Sequence, residues 1–282
     1  MRILITGAAG MLGIDVGISA GARGHEVISL ARAELDIADA AAVQAQLGDV
    51  RPDAVINCAA YTDVDGAESD PASALRVNGD GAGILAAAAY ALGAWTIHVS
   101  SDYVFDGSKA TPYLEFDATG PASAYGRSKL AGERAVAQAA PDAHTIVRSA
   151  WLFGAGGPCF PKTILKLAGA REELSVVDDQ VGCPTFTGHL AEALISLADG
   201  ERIAGPVHVA GGGRCTWYEF AREIVGRAGA ECEVKPCTTA EFPRPAPRPA
   251  NSSLITERGE SVPRLPHWRA GLEQFIGVGV SR

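Results

Sequence analysis

The stretch RILITGAAGMLG, residues 2–13, decides the fold. Arg2–Thr6 is a short apolar run of strand length, and a helical pattern opens at Met11 with only a glycine turn between them. Gly7, Gly10 and Gly13 stand in a GxxGxxG array. In such a strand–turn–helix unit the first glycine permits the tight turn. The second lets the backbone approach a bound pyrophosphate, and the third lets helix and strand pack closely. The helix start at Met11 and Leu12 adds amide donors and a dipole that favour an anion. This is not the GxGxxG spacing, so its position between a strand and a helix carries the reading over that of a merely structural turn.

The same alternation continues downstream. Strands are predicted at Glu26–Leu30, 53–58, Trp95–Ser101 and His144–Ser149. Between them lie helices over 38–47 (capped by Asp36 or Asp39), an alanine-rich 71–92, and 123–139. This βαβα order predicts an α/β protein, a Rossmann-like doubly wound parallel sheet covered by helices on both faces. After residue 150 the pattern loosens. Helices are expected over 160–170, 189–198 and Trp217–Ala228, a strand over 206–210, and a Pro-rich loop in EFPRPAPRPANSS, 241–253. The expected division is a nucleotide-binding domain over 1–150 with later returns at about 187–212, and a smaller, partly interleaved substrate-binding domain over 151–282.

Composition narrows the function classes. The 282 residues are 47% hydrophobic and 20% charged, in the range of an ordinary globular protein. A net charge of −9 argues against nucleic-acid and anionic-membrane partners. Apolar runs are of strand length, short of the ~20 residues of a membrane span, and MRILITGAAG enters a strand directly, unlike a signal peptide. The six cysteines are scattered, with no zinc-like Cys/His spacing, so no metal is expected and a reduced, cytoplasmic location is the default. No coiled-coil or interface pattern sets the oligomeric state.

An acidic residue usually follows the glycines by about 20 positions to bind the NAD ribose. Here SLARAELD places Arg32 near that point. An arginine there can pair with the 2′-phosphate of NADP or be a surface charge, so NADPH is preferred and NADH stays open. Asp36 and Ile37 sit where a chain lines an adenine pocket, and Asp36 is equally placed to cap a helix.

The chemistry is carried by two further stretches. VSSDYVFDG, 99–107, brings the hydroxyls of Ser100 and Ser101 out at the carboxyl edge of a parallel sheet, where such folds bind ligands. In AYGRSKLAGE, 124–133, Tyr125 and Lys129 lie one helical turn apart on one face. A tyrosine near ~10 exchanges protons poorly at neutral pH. A lysine ammonium and a cationic nicotinamide beside it would favour the phenolate. Tyr125 could then protonate a carbonyl oxygen that a serine hydroxyl polarises. Alone, a Tyr-x-x-x-Lys pair is commonplace; in sequence with the glycine turn and the Ser-Ser-Asp strand end it becomes the better reading.

Together TGAAGMLG, NCAAYTDVDGAE, VSSDYVFDG, YGRSK, VRSAWLFG, VVDDQVGCPT and RPANSSL resemble the extended short-chain dehydrogenase/reductases, and more narrowly the dTDP-4-dehydrorhamnose reductase family. The motifs span nearly the whole chain in the family's order. The resemblance implies Tyr125 as proton donor, Lys129 as its cofactor-binding helper, and Ser101, where many relatives carry Thr, as the group holding the carbonyl. It further implies that Ala60, Tyr61 and Thr62 border the cofactor and that Asp102 and Trp151 contact the sugar nucleotide. Arg248 and Asn251 become candidates for its diphosphate side. Two departures stand out: Pro158–Cys159 where relatives often have two asparagines, and Gly66 where they often have lysine. The implied activity is reduction of the C4 keto group of a nucleotide-activated 4-keto-6-deoxysugar. Two alternatives stay open: a sibling 4-ketoreductase for another deoxysugar, and a non-catalytic NADP-binding subunit like that regulating methionine adenosyltransferase. An epimerase or dehydratase is disfavoured, because Asp102 is followed by Tyr103 and not by a Glu.

Overall fold

A computed structural model describes residues 1–279. The chain begins with β1 (Arg2–Thr6), α1 (Met11–Ala22), β2 (Glu26–Leu30), α2 (Ala40–Val50) and β3 (Ala54–Asn57). Then come α3 (Gly66–Ser69), α4 (Pro71–Leu75), α5 (Ala82–Ala91), β4 (Trp95–Ser101), α6 (Ala124–Ala139) and β5 (His144–Ser149). The next segment holds β6 (Leu152–Phe153), α7 (Phe160–Ala168), β7 (Glu173–Val177), β8 (Val181–Gly182), β9 (Thr185–Phe186), α8 (Thr187–Asp199) and β10 (Gly205–His208). It closes with β11 (Cys215–Thr216), α9 (Trp217–Ala228), β12 (Glu233–Cys237) and α10 (Trp268–Gly279).

Six strands form one sheet in the order β10-β5-β4-β3-β1-β2, every pair parallel. The alternation of β1 shows why it is covered on both sides. Ile3 and Ile5 pack with Val16 of α1 and Leu190 and Leu194 of α8, whereas Leu4 packs with Val43, Leu47 and Leu85 of α2 and α5. Each such side chain contributes roughly 1.5–3 kcal/mol by leaving water. From β1 the strand order runs one way to β2 and the other way to β3. Ligands in such sheets bind in the crevice this reversal opens beyond the carboxyl ends.

Two late elements return to the sheet: β10 pairs with β5 (Val207 opposite Val147), and α8 packs on α1. A separate apolar cluster of Phe153, Ile164, Leu174, Phe220, Trp268 and Leu272 lies between the remaining helices and the β7–β12 pair. On this packing we propose that the nucleotide-binding unit is 1–150 with the 187–212 return, and the rest the second unit. Among the described residues no helix is long and apolar enough to cross a membrane.

Differences from the sequence reading have local causes. The helix expected over 71–92 is interrupted by a π-helical turn at Arg76–Gly81, around buried Asn78. Such a turn accommodates one extra residue and often marks a functional site. α2 starts at Ala40 because Asp39 is the cap, accepting from the Ala41 and Ala42 N–H groups, while Asp36 closes its own turn on Ala38. The two-residue strands and Pro-bearing β12 were too short or too irregular to show alternation. α10, with Gly271 and Gly277 inside it, lacked helix-forming composition.

Candidate active site

The glycine turn leaves β1 with Gly7 at φ +67°. A Cβ there would stand 2.6 Å from the Ala59 nitrogen, and one on Gly13 would overlap the Gly7 carbonyl. The Gly10 N–H donates to that carbonyl at 2.9 Å. Gly10 is the N-cap of α1, with no side-chain cap and no acidic residue in the first turn. The amides at Met11, Leu12 and Gly13 thus begin a helix free of a competing anion, and this cradle fits a dinucleotide diphosphate. Arg32 stands exposed in the turn after β2. Asp36 sits near it, held below the usual carboxylate range first by the Ala38 N–H and then by Arg76 at 3.0 Å. Ile37 is buried against Gly81.

The loop after β3 forms the opposite wall. Thr6, Asn57 and His98 are register neighbours on β1, β3 and β4. The Asn57 Oδ1 accepts from the Thr6 hydroxyl at 2.8 Å and from the Ala59 N–H at 3.1 Å, pinning the loop against Gly7. Further along, the Tyr61 N–H donates to Asn78 Oδ1 at 2.8 Å. Asn78 Nδ2 donates back to the Tyr61 carbonyl and to Ser128 Oγ, at 3.0 and 2.9 Å. Asn78 therefore ties the Ala60–Tyr61–Thr62 stretch to α6. Asn78→Ala leaves these buried groups unpaired and should cost about 1–3 kcal/mol; urea unfolding showing no loss would contradict the assigned role.

α6 is capped by Ser123, whose Oγ accepts from the Gly126 N–H at 3.0 Å. A Cβ on Gly126 would overlap the Tyr103 carbonyl, so the glycine lets the helix seat directly on the turn after β4. That seating brings the Tyr125 phenol to Ser101 and sets its ring edge-on to Tyr103, centroids 5.5 Å apart. Burial pushes the phenol up to about 12; the Ser101 hydroxyl opposes this and Asp102 adds to it. Asp102 is itself buried and pushed up to about 6, against the Ser252 and Ser101 hydroxyls that lower it. Ser101 Oγ donates to Asp102 Oδ1 at 2.9 Å. Lys129, 2% exposed, donates from Nζ to the Val99 carbonyl at 2.8 Å. Its ammonium is lowered to about 8 by burial, with Glu133 and Cys58 working the other way. In this structure the lysine is engaged with the Val99 carbonyl, and burial governs the phenol.

The candidate substrate residues fall into two groups. Trp151 has φ +48°, strained for a residue with a side chain, and its indole stacks on Trp217 with centroids 3.5 Å apart and planes at 6°. Gly182 leaves room for that ring, since a Cβ there would overlap it. Arg248 Nη1 donates to Asp65 at 2.9 Å, and Arg244 binds the other oxygen of Asp65 at 2.6 Å. Asn251 is committed to the backbone: Nδ2 donates to the Lys109 and Thr111 carbonyls, and Oδ1 accepts from Ser253. Its amide braces the loop and presents no free group to a ligand. Pro158 is exposed, and Cys159 is the N-cap of α7.

Burial alone would raise Asp65, but Arg248, the Ala246 N–H and Arg244 outweigh it and hold the carboxyl at about 2. A depressed carboxylate stabilises the fold above its unfolded value and loses that contribution as pH falls through the folded one. The clamp is thus expected to supply roughly 2 kcal/mol above pH ~4, disappearing toward pH ~2. Asp65→Asn should remove it at pH 7, and the two proteins should converge in acid. Equal stability at pH 7 would refute the clamp.

The family model for the RmlD substrate binding domain matches residues 1–279. The chain belongs to that family. It is 45% identical over 280 residues to the dTDP-4-dehydrorhamnose reductase of Streptomyces griseus, covering 97% of this chain and 92% of the relative. The same enzyme of Mycobacterium tuberculosis is 43% identical, with 98% and 93% covered. Among solved structures, the dTDP-4-dehydrorhamnose reductase of Clostridium acetobutylicum superposes with a TM-score of 0.96 at 41% identity, covering 99% of this chain and 100% of that one. That of Bacillus anthracis, in complex with NADP, gives 0.94 at 36%, covering 98% and 99%.

Within this family frame, four residues at the site escaped the sequence reading. Asn78 carried a signal, the Asn-Gly inside an alanine-rich helix. Glu133 carried another, one turn beyond Lys129 on the Tyr125 face. Asp65 and Trp217 had none, because their partners Arg248 and Trp151 are distant in the chain.

Proposed function

We propose that this protein is an NADPH-dependent reductase of the C4 keto group of a nucleotide-activated 4-keto-6-deoxysugar, converting dTDP-4-dehydro-L-rhamnose to dTDP-L-rhamnose. The observation that carries this is the meeting of Ser101, Asp102 and Tyr125 at the carboxyl end of β4, beside the uncapped glycine turn. The family's reductases and the NADP-bound relative point to the same chemistry.

NADPH, when bound, supplies the hydride that reaches C4. The glycine turn and the start of α1 would hold its diphosphate, and Arg32, exposed after β2, would pair with the 2′-phosphate. The Ser101 hydroxyl, turned from Asp102, would donate a hydrogen bond to the C4 oxygen and stabilise the charge that develops there. Tyr125 gives that oxygen its proton, and the phenolate left behind regains one from solvent. Lys129 holds positive charge beneath the site. Asp102, near 6, binds a sugar hydroxyl as donor or acceptor, and Trp151 walls the sugar. Arg248, once drawn from Asp65, meets the diphosphate. The six cysteines are free thiols, consistent with a cytoplasmic setting.

The test is NADPH oxidation, followed at 340 nm, with dTDP-4-dehydro-L-rhamnose. Tight NADPH binding without turnover of any 4-keto-6-deoxysugar nucleotide would overturn the reading. A sibling substrate is the second reading, favoured by Pro158–Cys159 and by a 41% identical relative from Streptomyces antibioticus named a probable dTDP-4,6-dihydroxy-2-methyloxan-3-one 4-ketoreductase. Turnover of such a substrate in preference to the rhamnose precursor would establish it.

A further inference from the structure

α6 carries three polar side chains at successive turns of one face, Tyr125, Lys129 and Glu133. The reduction uses the first two. Glu133 is 4% exposed and has no part in it so far. Its carboxylate accepts from Arg148 Nε at 2.8 Å and Nη2 at 2.6 Å, a fork-to-fork pair, and from Ser100 Oγ at 2.5 Å. Ser100 and Arg148 are direct register partners on β4 and β5. The helix therefore grips three consecutive residues at the end of β4: Lys129 holds the Val99 carbonyl, Glu133 holds Ser100, and Tyr125 meets Ser101.

We infer that Glu133, locked by Arg148, is a positioning residue that sets α6 on the end of β4 and supplies the negative charge facing the Lys129 ammonium. This rests on the reductase reading above. An ammonium taken out of water needs a compensating anion nearby. The groups facing Lys129 come from three elements. Cys58, after β3, is a thiol that burial pushes up to about 12. His98, on β4, is held neutral by burial well below its usual value. Tyr125, on α6, is a phenol pushed up to about 12. Glu133 is the remaining group on that helix, and its carboxylate raises Lys129 against burial. The anion that α6 offers Lys129 is therefore a carboxylate one turn away, which also carries the Arg148 guanidinium of β5.

A purely structural clamp would also be buried and bidentate, so the test must separate shape from charge. Three variants do this: E133Q, E133D, and the double variant E133L/R148M, which replaces the ion pair with apolar groups that such sites tolerate. Two readouts are used: the Lys129 side-chain titration by ¹³C-lysine NMR, assigned with K129M, and the pH profile of kcat with saturating NADPH and dTDP-4-dehydro-L-rhamnose. In E133Q and in the double variant the Lys129 titration should fall by at least about one pH unit. The alkaline limb of kcat should follow it, lowering kcat at pH 8 about fivefold or more, while KM for the sugar nucleotide stays within about twofold. E133D should keep both close to the parent. A folded double variant with an unmoved Lys129 titration overturns the inference, and decides the matter should E133Q fail to fold. Absence of turnover in the parent protein would sink the reductase reading, while the NMR titration still judges Glu133.

Discussion

Tyr125→Phe is expected to lower kcat about 10³-fold, near 4 kcal/mol, while NADPH affinity stays within a few-fold. The substitution removes one oxygen and keeps the ring, so the edge-on contact with Tyr103 and the seating of α6 on Gly126 survive. What is lost is the proton donor beside Ser101. Ser101 can still polarise the carbonyl, but a serine hydroxyl is too weak an acid to complete the reduction. The one neighbouring group able to take over is Asp102, whose carboxyl lies near 6 and is partly protonated at neutral pH. Its part can be read directly. If Asp102 substitutes for the tyrosine, the residual rate of the variant will fall as pH rises through about 6. A loss of less than tenfold would move the acid role from Tyr125 to Asp102.

Gly7→Ala is expected to weaken NADPH binding by about 100-fold and to destabilise the fold by about 2–4 kcal/mol. Two costs combine. At φ +67° an L side chain is strained by about 1–2 kcal/mol. The added methyl also meets the Ala59 nitrogen at 2.6 Å, and that N–H cannot retreat, because Asn57 Oδ1 holds it. Relief requires the loop after β3 to shift, which carries Ala60 to Thr62 away from the cofactor wall. Gly10→Ala is the control. Gly10 lacks the positive φ, and its Cβ would meet one backbone atom, the Gly7 carbonyl at 3.1 Å, so melting should fall less than in Gly7→Ala. Thermal melting and NADPH titration by fluorescence measure both variants. Unchanged NADPH affinity in Gly7→Ala would remove the diphosphate from this turn.

Much of the sheet was legible because its information is local. β1, β2, β4 and β5 have the bounds read from short apolar-centred runs, fully buried in β5, almost so in β1 and β4 and only partly so in the edge strand β2. The glycine turn and the Tyr125–Lys129 spacing were legible for the same reason, each lying within a dozen residues. The helix over 71–92 was less so. Its alanines promised a continuous helix, and the π-turn at Asn78 appears only because Asn78 must reach both Tyr61 and Ser128.

The residues alone were sufficient for the α/β class and for the succession of strands and helices in its first half, and they singled out Tyr125 and Lys129 as the candidate proton-transfer pair. These rest on periodicity and on spacing along one helix face, which the chain carries wherever it folds. The tertiary structure decided which groups those residues face. It gave Arg248 to Asp65 and committed Asn251 to the backbone. It laid Trp217 on Trp151 and set Glu133 between Ser100 and Arg148 beneath Lys129. Such pairings join segments brought close only when the sheet closes and the second unit packs on it. The charge and proton affinity of each group are set by that burial and by those partners, and no local pattern encodes them.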